Sequence, residues 1–585
     1  MTLSNRLILF CILAAPSMVH AQSNFQKLLP PTTAAVVQIH EPGEIVQQLL
    51  THPVVETAYE AGLYDAALQD AQWAQIETLQ TKVQEITGLP WEEALTKATS
   101  GGVHLAFDPP TDGVVVAIRG EEEVLNQFFE AVMSILEPIA LLSGNPVKKG
   151  EYRDGIIGYQ IQDIRFAKKE DTLVITNSRD LGRFVLDQLI DPATHPSFSS
   201  NEVYQEAISE SKPTDHSAWL WIDAKLLEQF QTVDNFEQAM RSNMLLELLV
   251  GGISSQLAHT RYVTAAVDFN HQHLQLAVTT GYRDKWVSNS RRYFFGEASQ
   301  AGSPDLLLPP DTIASISLFR DFSPWWLLAP DLYNSDVNES IAQADTTLST
   351  FFSGKDFGTD ILGSLEPGAQ LVVTDTHFAP DAPKPEIVFP SFAIVGHLQD
   401  AETMQPELRR MFINFTGFLN VVSAMEGNPQ LDIDLVDTKN SRMITTSFIP
   451  PQPGQPISIQ YNFTPTILFE GEKIILSSNR HLAEQLVEEN PTSSKRGKRG
   501  WKTNTHFTLL ARPLAVILRK NREILITNNM LDNGNARAEA EQEIDLILKG
   551  IEWVKSLDIK MEHSDKQLNL SFDLQFLEQD KVESP

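Results

Sequence analysis

Two periods alternate along the chain. Runs such as His104-Leu105-Ala106-Phe107, Val116-Ala117-Ile118-Arg119-Gly120 and His273-Leu274-Gln275-Leu276-Ala277-Val278 read as strands. Leu125, Phe128, Phe129, Val132, Leu136 and Ile139 recur at three- and four-residue spacing, as do Leu408, Met411, Phe412, Phe415, Leu419 and Val422. That spacing lines one face of a helix, so both segments read as amphipathic core helices. The acids ahead of them, Glu121 to Glu123 in one case and Asp400 and Glu402 in the other, complement a helix N-terminus.

The pattern runs through the chain twice. Leu28-Leu29-Pro30-Pro31-Thr32-Thr33 returns 279 residues later as Leu307-Leu308-Pro309-Pro310-Asp311-Thr312. Four further matches follow in the same order. His104–Phe107 pairs with Gln370–Val373 and Val116–Gly120 with Phe392–Gly396; Thr172–Arg179 then pairs with Lys473–Arg480 and His273–Val278 with Gln567–Phe572. An ordered series of this kind predicts a tandem duplication. Copy one is expected over 25–283, a linker over 284–303, copy two over 304–577, and a polar tail over 578–585; the join from Arg291 to Pro304 contains Gly296, Gly302 and Pro304. Within each copy the order is strand, helices, two strands, long helix, several strands, helix, strand, long helix, strand pair. Short joins such as Phe107 to Val114 favour hairpins over parallel crossovers. The expected fold class is α+β, with each copy a mainly antiparallel sheet covered by amphipathic helices on one face.

The first 21 residues change the compartment. Arg6 is their single charge, Leu7 to Ala15 are a short apolar run, and Val19-His20-Ala21 places small residues at −3 and −1. This is the pattern of a secretory signal peptide cut before Gln22. The protein has one cysteine, Cys11, inside that segment. The mature chain would therefore lack disulfides, thiol nucleophiles and thiolate metal sites. Cys11 follows Phe10 within the apolar run, which is not a lipid-attachment pattern. A disulfide-free exported chain suits a bacterial envelope, periplasmic or extracellular. The formal net charge of −31 repels nucleic acid and anionic lipid. The apolar stretch Met244 to Ile253 is broken by Glu247 and falls short of the roughly 20 residues of a membrane span. No transmembrane anchor is expected, and the oligomeric state is open.

Local chemistry is sparse. Ser209-Glu210-Ser211-Lys212 is an S-x-x-K without K-T-G or S-D-N companions, in a polar stretch that reads as a loop. His271 and His273 could face one way on a strand, but no third metal ligand can be named, and a solvated hairpin turn is the plainer reading. Asp432, Asp434 and Asp437 lack the D-x-[DN]-x-[DN]-G loop of a calcium site. Phosphate-binding glycine motifs are absent, so no cofactor is expected. Trp325 and Trp326 read as core aromatics. One charged segment stands apart: Lys495, Arg496, Lys498, Arg499 and Lys502 surround Trp501. Such a loop could dock an anionic envelope polymer or an acidic protein surface; otherwise it is a solvated, cleavable loop.

The Leu-Leu-Pro-Pro-x-Thr pattern at 28–33 and 307–312, with Leu-Val-Ile-Thr-Asn-Ser at 173–178, resembles an uncharacterised domain-of-unknown-function family of exported bacterial proteins. The resemblance implies no activity and no site residues. The expected function is binding or structural interaction in the envelope. A carboxylate-dependent hydrolase of an envelope polymer is the alternative.

Overall fold

The structure, a computed structural model, describes residues 24–40, 42–53, 55, 71–192, 195–296, 302–352, 354–378, 382–438, 441–449, 457–488 and 501–577. The signal segment and the C-terminal tail lie outside them. The chain forms two compact units, the first from residues up to Phe230 together with Thr260–Thr280, the second from Gln231–His259 together with Gly281 onward. Both are α+β.

The first unit carries strands β1 (Ala35–Ile39), β2 (Gly102–Asp108), β3 (Gly113–Arg119), β4 (Lys148–Glu151), β5 (Ile157–Ile161), β6 (Ile164–Lys169), β7 (Thr172–Thr176), β8 (Ala218–Asp223), β9 (Tyr262–Phe269) and β10 (His273–Gly281). Antiparallel pairings give the order β4-β5-β6-β7-β3-β2-β1-β8-β9-β10. Its helices include α1 (Pro42–Leu50), α2 (Ala71–Thr87), α3 (Trp91–Ala98), α4 (Glu122–Leu142), α5 (Arg179–Ile190), α6 (Glu202–Ser211) and α7 (Ala224–Gln229). Helices cover both faces, not the single face expected. α5 and α6 close one side over Val36, Val115, Trp219 and Trp221, while α2, α3 and α4 close the other over Val116, Ile118, Phe166 and Ile175. The cause is in the strands: Val114-Val115-Val116-Ala117-Ile118 is apolar without alternation, and such a run must be buried on both sides. α4 is long and apolar enough by composition to cross a membrane. Its Leu125, Phe129 and Met133 are instead packed into this core.

In the second unit α8 (Thr232–Arg241), α9 (Met244–Leu257) and α10 (Arg292–Phe295) join strands β11 (Thr312–Leu318), β12 (Ala369–Thr374), β13 (Ser391–His397), β14 (Leu431–Asp437), β15 (Ser441–Phe448), β16 (Thr466–Glu470), β17 (Lys473–Ser477), β18 (Lys502–Leu510), β19 (Val554–His563) and β20 (Gln567–Phe576). Further helices are α11 (Phe322–Leu327), α12 (Ala329–Leu332), α13 (Ser335–Phe351), α14 (Ala401–Glu426), α15 (Arg480–Glu488), α16 (Ala511–Lys520), α17 (Arg522–Asn533) and α18 (Arg537–Trp553). The order is β14-β15-β16-β17-β13-β12-β11-β18-β19-β20, position for position that of the first sheet.

The register agrees in detail. In the first sheet Ile175, Val116, Leu105, Val37, Leu220, Ala265 and Val278 lie directly opposite one another in successive strands. In the second, Leu476, Ile394, Leu371, Ile316, Phe507, Ile559 and Phe572 do the same. Four of the five sequence matches coincide with this correspondence. The fifth is displaced by two: Val116 corresponds to Ile394, not Phe392, a shift that keeps the same face. Local turns agree as well. The Thr33 hydroxyl and N–H both donate to the Pro30 carbonyl (2.9 and 3.1 Å), and Thr312 does the same to Pro309 (2.5 and 3.2 Å). This is why the repeated Pro-Pro-x-Thr precedes a strand: the threonine closes the turn from which the strand starts. Ser178 and Asn479 each cap the following helix through the N–H of the residue three on.

Two boundaries differ from expectation. The interval expected as a linker is folded over 284–296, with Tyr293, Phe294 and Phe295 all buried in the second unit's core; residues 297–301 lie outside the described residues. The long helix expected before the last strand pair of copy one is three helices, and two of them, α8 and α9, belong to the second unit. Glu247 explains their placement. It is wholly buried on α9 and accepts from Arg291 Nε and Nη2 (2.8 and 2.9 Å) and from the Tyr293 hydroxyl (3.1 Å). Arg291 also forks onto Glu237 of α8 (2.9 and 3.0 Å). Arg320, likewise buried, donates to the carbonyls of Leu248 and Leu249 and lies 3.5 Å from the centre of the Phe294 ring. Gly252 is needed for this fit, since a Cβ there would overlap that ring.

Candidate functional site

Between α4 and the outer strands of the first sheet is an open cleft of about 690 Å³. Asn126, Phe129, Glu130, Met133, Ser134 and Glu137 line it from the helix, at spacings that put them on one face. Opposite them are Lys149 of β4, Tyr159 of β5, Lys168 and Lys169 of β6, and the β4–β5 turn. Asp154 and Gly155 in that turn both take left-handed backbone, with φ of 58° and 70°. Tyr159 meets Phe129 edge-on at 5.4 Å between ring centres, and the Lys149 ammonium lies 5.3 Å from the Tyr159 ring centre.

The charges in the cleft are largely matched. Lys149 pairs with Glu137 at 3.1 Å and Lys169 with Asp154 at 2.8 Å. The hydrogen bond and charge of Lys169 hold the Asp154 carboxyl below its ordinary range. Lys168 differs. Its side chain is 15% exposed, and among the described residues the carboxylate within 4.0 Å is Glu122, at that limit. It also donates to the Glu170 carbonyl. Burial pulls its pKa down, with Glu122, Asp171 and Glu170 opposing that only in part.

Two of the three corresponding positions of the second sheet are filled. By register Lys149, Tyr159 and Lys168 correspond to Leu435, Ile444 and Phe469. Ile444 and Phe469 are buried beneath Met404, Leu408 and Met411 of α14. The second sheet is open elsewhere. Ile394 and Leu476 are 50% and 42% exposed, whereas their counterparts Val116 and Ile175 are 2% and 7% exposed under α4.

The residues singled out from sequence are not brought together here. Lys495, Arg496, Lys498 and Arg499 lie outside the described residues. Trp501 is half-buried and Lys502 opens β18 opposite His563. Ser209-Glu210-Ser211-Lys212 is the end of α6 and not a loop: Ser209 and Ser211 donate back to Glu206 and Ala207, and Lys212 caps the helix in left-handed backbone. The apolar Val203, Tyr204, Ala207 and Ile208 carry a helical period through that polar stretch. His271 meets Thr51 at 3.0 Å while His273 meets Asn270 at 3.2 Å, and no cluster of three metal-ligating side chains occurs among the described residues. Asp432 and Asp434 are exposed on β14, and Asp437 faces Arg409 at 3.6 Å. Trp325 and Trp326 pack on the second unit's core and donate to Tyr333 and Asp345.

The residues that line the cleft were missed because α4 reads as a core helix with a solvent stripe. The available signal was Lys149 and Lys168 at strand positions where the matched strands of the second unit have Leu435 and Phe469. No protein-family model matches the chain, and no curated protein matches it. Among solved structures it is similar, over part of its length, to TP0453 in crystal forms III, IV and I. The identity is 9% in each, the TM-scores are 0.24, 0.24 and 0.23, and the alignments cover 44–46% of this chain and 80–81% of that one.

Proposed function

We propose that this is an exported protein, periplasmic or extracellular once residues 1–21 are removed, that acts by binding and is built from two copies of one ten-stranded design. The shared strand order and the paired Thr33 and Thr312 turns support the duplication. One observation carries the binding reading: where the second unit buries Ile444 and Phe469 under α14, the first opens a cleft of about 690 Å³ with an aromatic floor. That volume lies within the range of small-molecule sites. Two of its carboxylates, those of Glu137 and Asp154, are tied to lysines, which disfavours an acid–base pair and supports binding over hydrolysis.

Native mass spectrometry of the protein recovered from the envelope or medium tests this. The expected result is a chain beginning at Gln22 that carries a small ligand, and loss of that ligand when Met133→Trp fills the cleft. A retained leader would refute export. A ligand unaffected by Met133→Trp would refute the site.

A further inference from the structure

Resting on the binding reading above, the chemistry of the cleft narrows its ligand. Its floor is apolar and aromatic, with Phe129, Met133, Ile156 and Tyr159 along it. Two of its three lysines are neutralised at close range by Glu137 and Asp154, and Lys168 is not. Two further carboxylates in the lining, Glu130 and Glu170, belong to exposed residues. Water screens an exposed charge strongly and a buried one weakly. The sheltered ammonium of Lys168 therefore outweighs the two rim carboxylates for a group seated beside it.

The second unit gives an independent argument. Its sheet has the same strand order, and Phe469 stands at the position of Lys168, buried under α14. An apolar side chain therefore suits that position in this fold. A lysine there loses part of its hydration while its carboxylate partner, Glu122, stands only at 4.0 Å, a cost that an anion at closer range would offset. We propose that the cleft binds a small amphiphilic anion, with Lys168 holding its carboxylate or sulfonate and the Phe129, Met133 and Tyr159 surface taking its apolar body.

Titration calorimetry of the mature full chain with three probes of one shape tests this: 2-naphthoate, naphthalene-2-sulfonate and the uncharged 2-naphthalenemethanol. Both anions should saturate at one per chain and bind about tenfold tighter than the alcohol, the weight of one charge-assisted hydrogen bond. Lys168→Met should remove that difference while leaving the alcohol unchanged, and Lys168→Arg should restore it. Ile394→Lys, on the exposed face of the second sheet, should change nothing. The ligand class is overturned if anions and alcohol bind alike in the unaltered protein, or if Lys168→Met weakens all three equally. If Met133→Trp leaves every probe bound as before, the fault lies in the site itself and the binding reading falls with it.

Discussion

Removing the Glu247 carboxylate should unlock the second unit. Glu247 is wholly buried and receives two hydrogen bonds from Arg291 and one from Tyr293. Burial works against the Arg291 charge, but hydrogen bonds to Glu247 and Glu237 more than offset it and its pKa rises. In Glu247→Ala, Arg291 keeps its fork onto Glu237 and loses its deeper partner, leaving guanidinium donors buried and unmatched. Breaking one side of a buried pair costs about 3–5 kcal/mol. In a unit of this size that lowers the melting temperature by on the order of 10 °C. Scanning calorimetry of the mature protein would show it, and the two units require the transitions to be treated separately. Glu247→Met with Arg291→Met replaces the pair by apolar groups of similar size and should recover at least half of the loss. The reasoning fails if Glu247→Ala melts within about 1 °C of the unaltered protein, or if the double variant is the less stable of the two.

Three other outcomes are expected. His104 is wholly buried and stacked on Phe25 at 4.9 Å, and burial pushes its pKa down to about 3. Protonation is thus favoured only in the unfolded chain, so the first unit should lose about 1.4 kcal/mol per pH unit as pH falls from about 6.5 towards 3; urea titrations at pH 7 and pH 4.5 should show this, and His104→Leu should remove the dependence. Val116→Ala should cost roughly 1–3 kcal/mol and Ile394→Ala under about 1 kcal/mol, because register-equivalent side chains are 2% and 50% exposed; equal losses by denaturant unfolding would contradict the difference in cover. Replacing Lys495, Arg496, Lys498 and Arg499 with serine should leave thermal stability within about 0.5 kcal/mol and reduce low-salt retention on anionic envelope polymer; unchanged retention would refute the docking role.

The strands and their matched segments were legible because alternating runs and turn chemistry are local properties. The Thr33 and Thr312 turns and the Ser178 cap follow from residues adjacent in sequence. The assignment of α8 and α9 was not legible. Glu247 read as a charge interrupting an apolar run, and its partner Arg291 lies 44 residues away, in a segment whose glycines and proline suggested a linker. Burial of Tyr293, Phe294 and Phe295 outweighs that punctuation. The cleft needed both the helix and the correct register. Lys168 is unremarked on a strand until it is set against Phe469 in the other sheet.

The placement of residues 231–259 bears on the order in which the chain can fold. β8 and β9 are neighbours in the first sheet, yet the segment between them finds its partners only after Arg291, Tyr293, Phe294 and Arg320 have been synthesised. A chain emerging from its N-terminus can close the first sheet while that helical pair, with Leu245, Leu246, Leu248 and Leu249, is still unmatched. Until Arg291, Tyr293, Phe294 and Arg320 follow, the last about 60 residues beyond His259, its apolar surface and the acid at its centre stay in water. The second unit therefore has to capture a segment synthesised between two strands of the first.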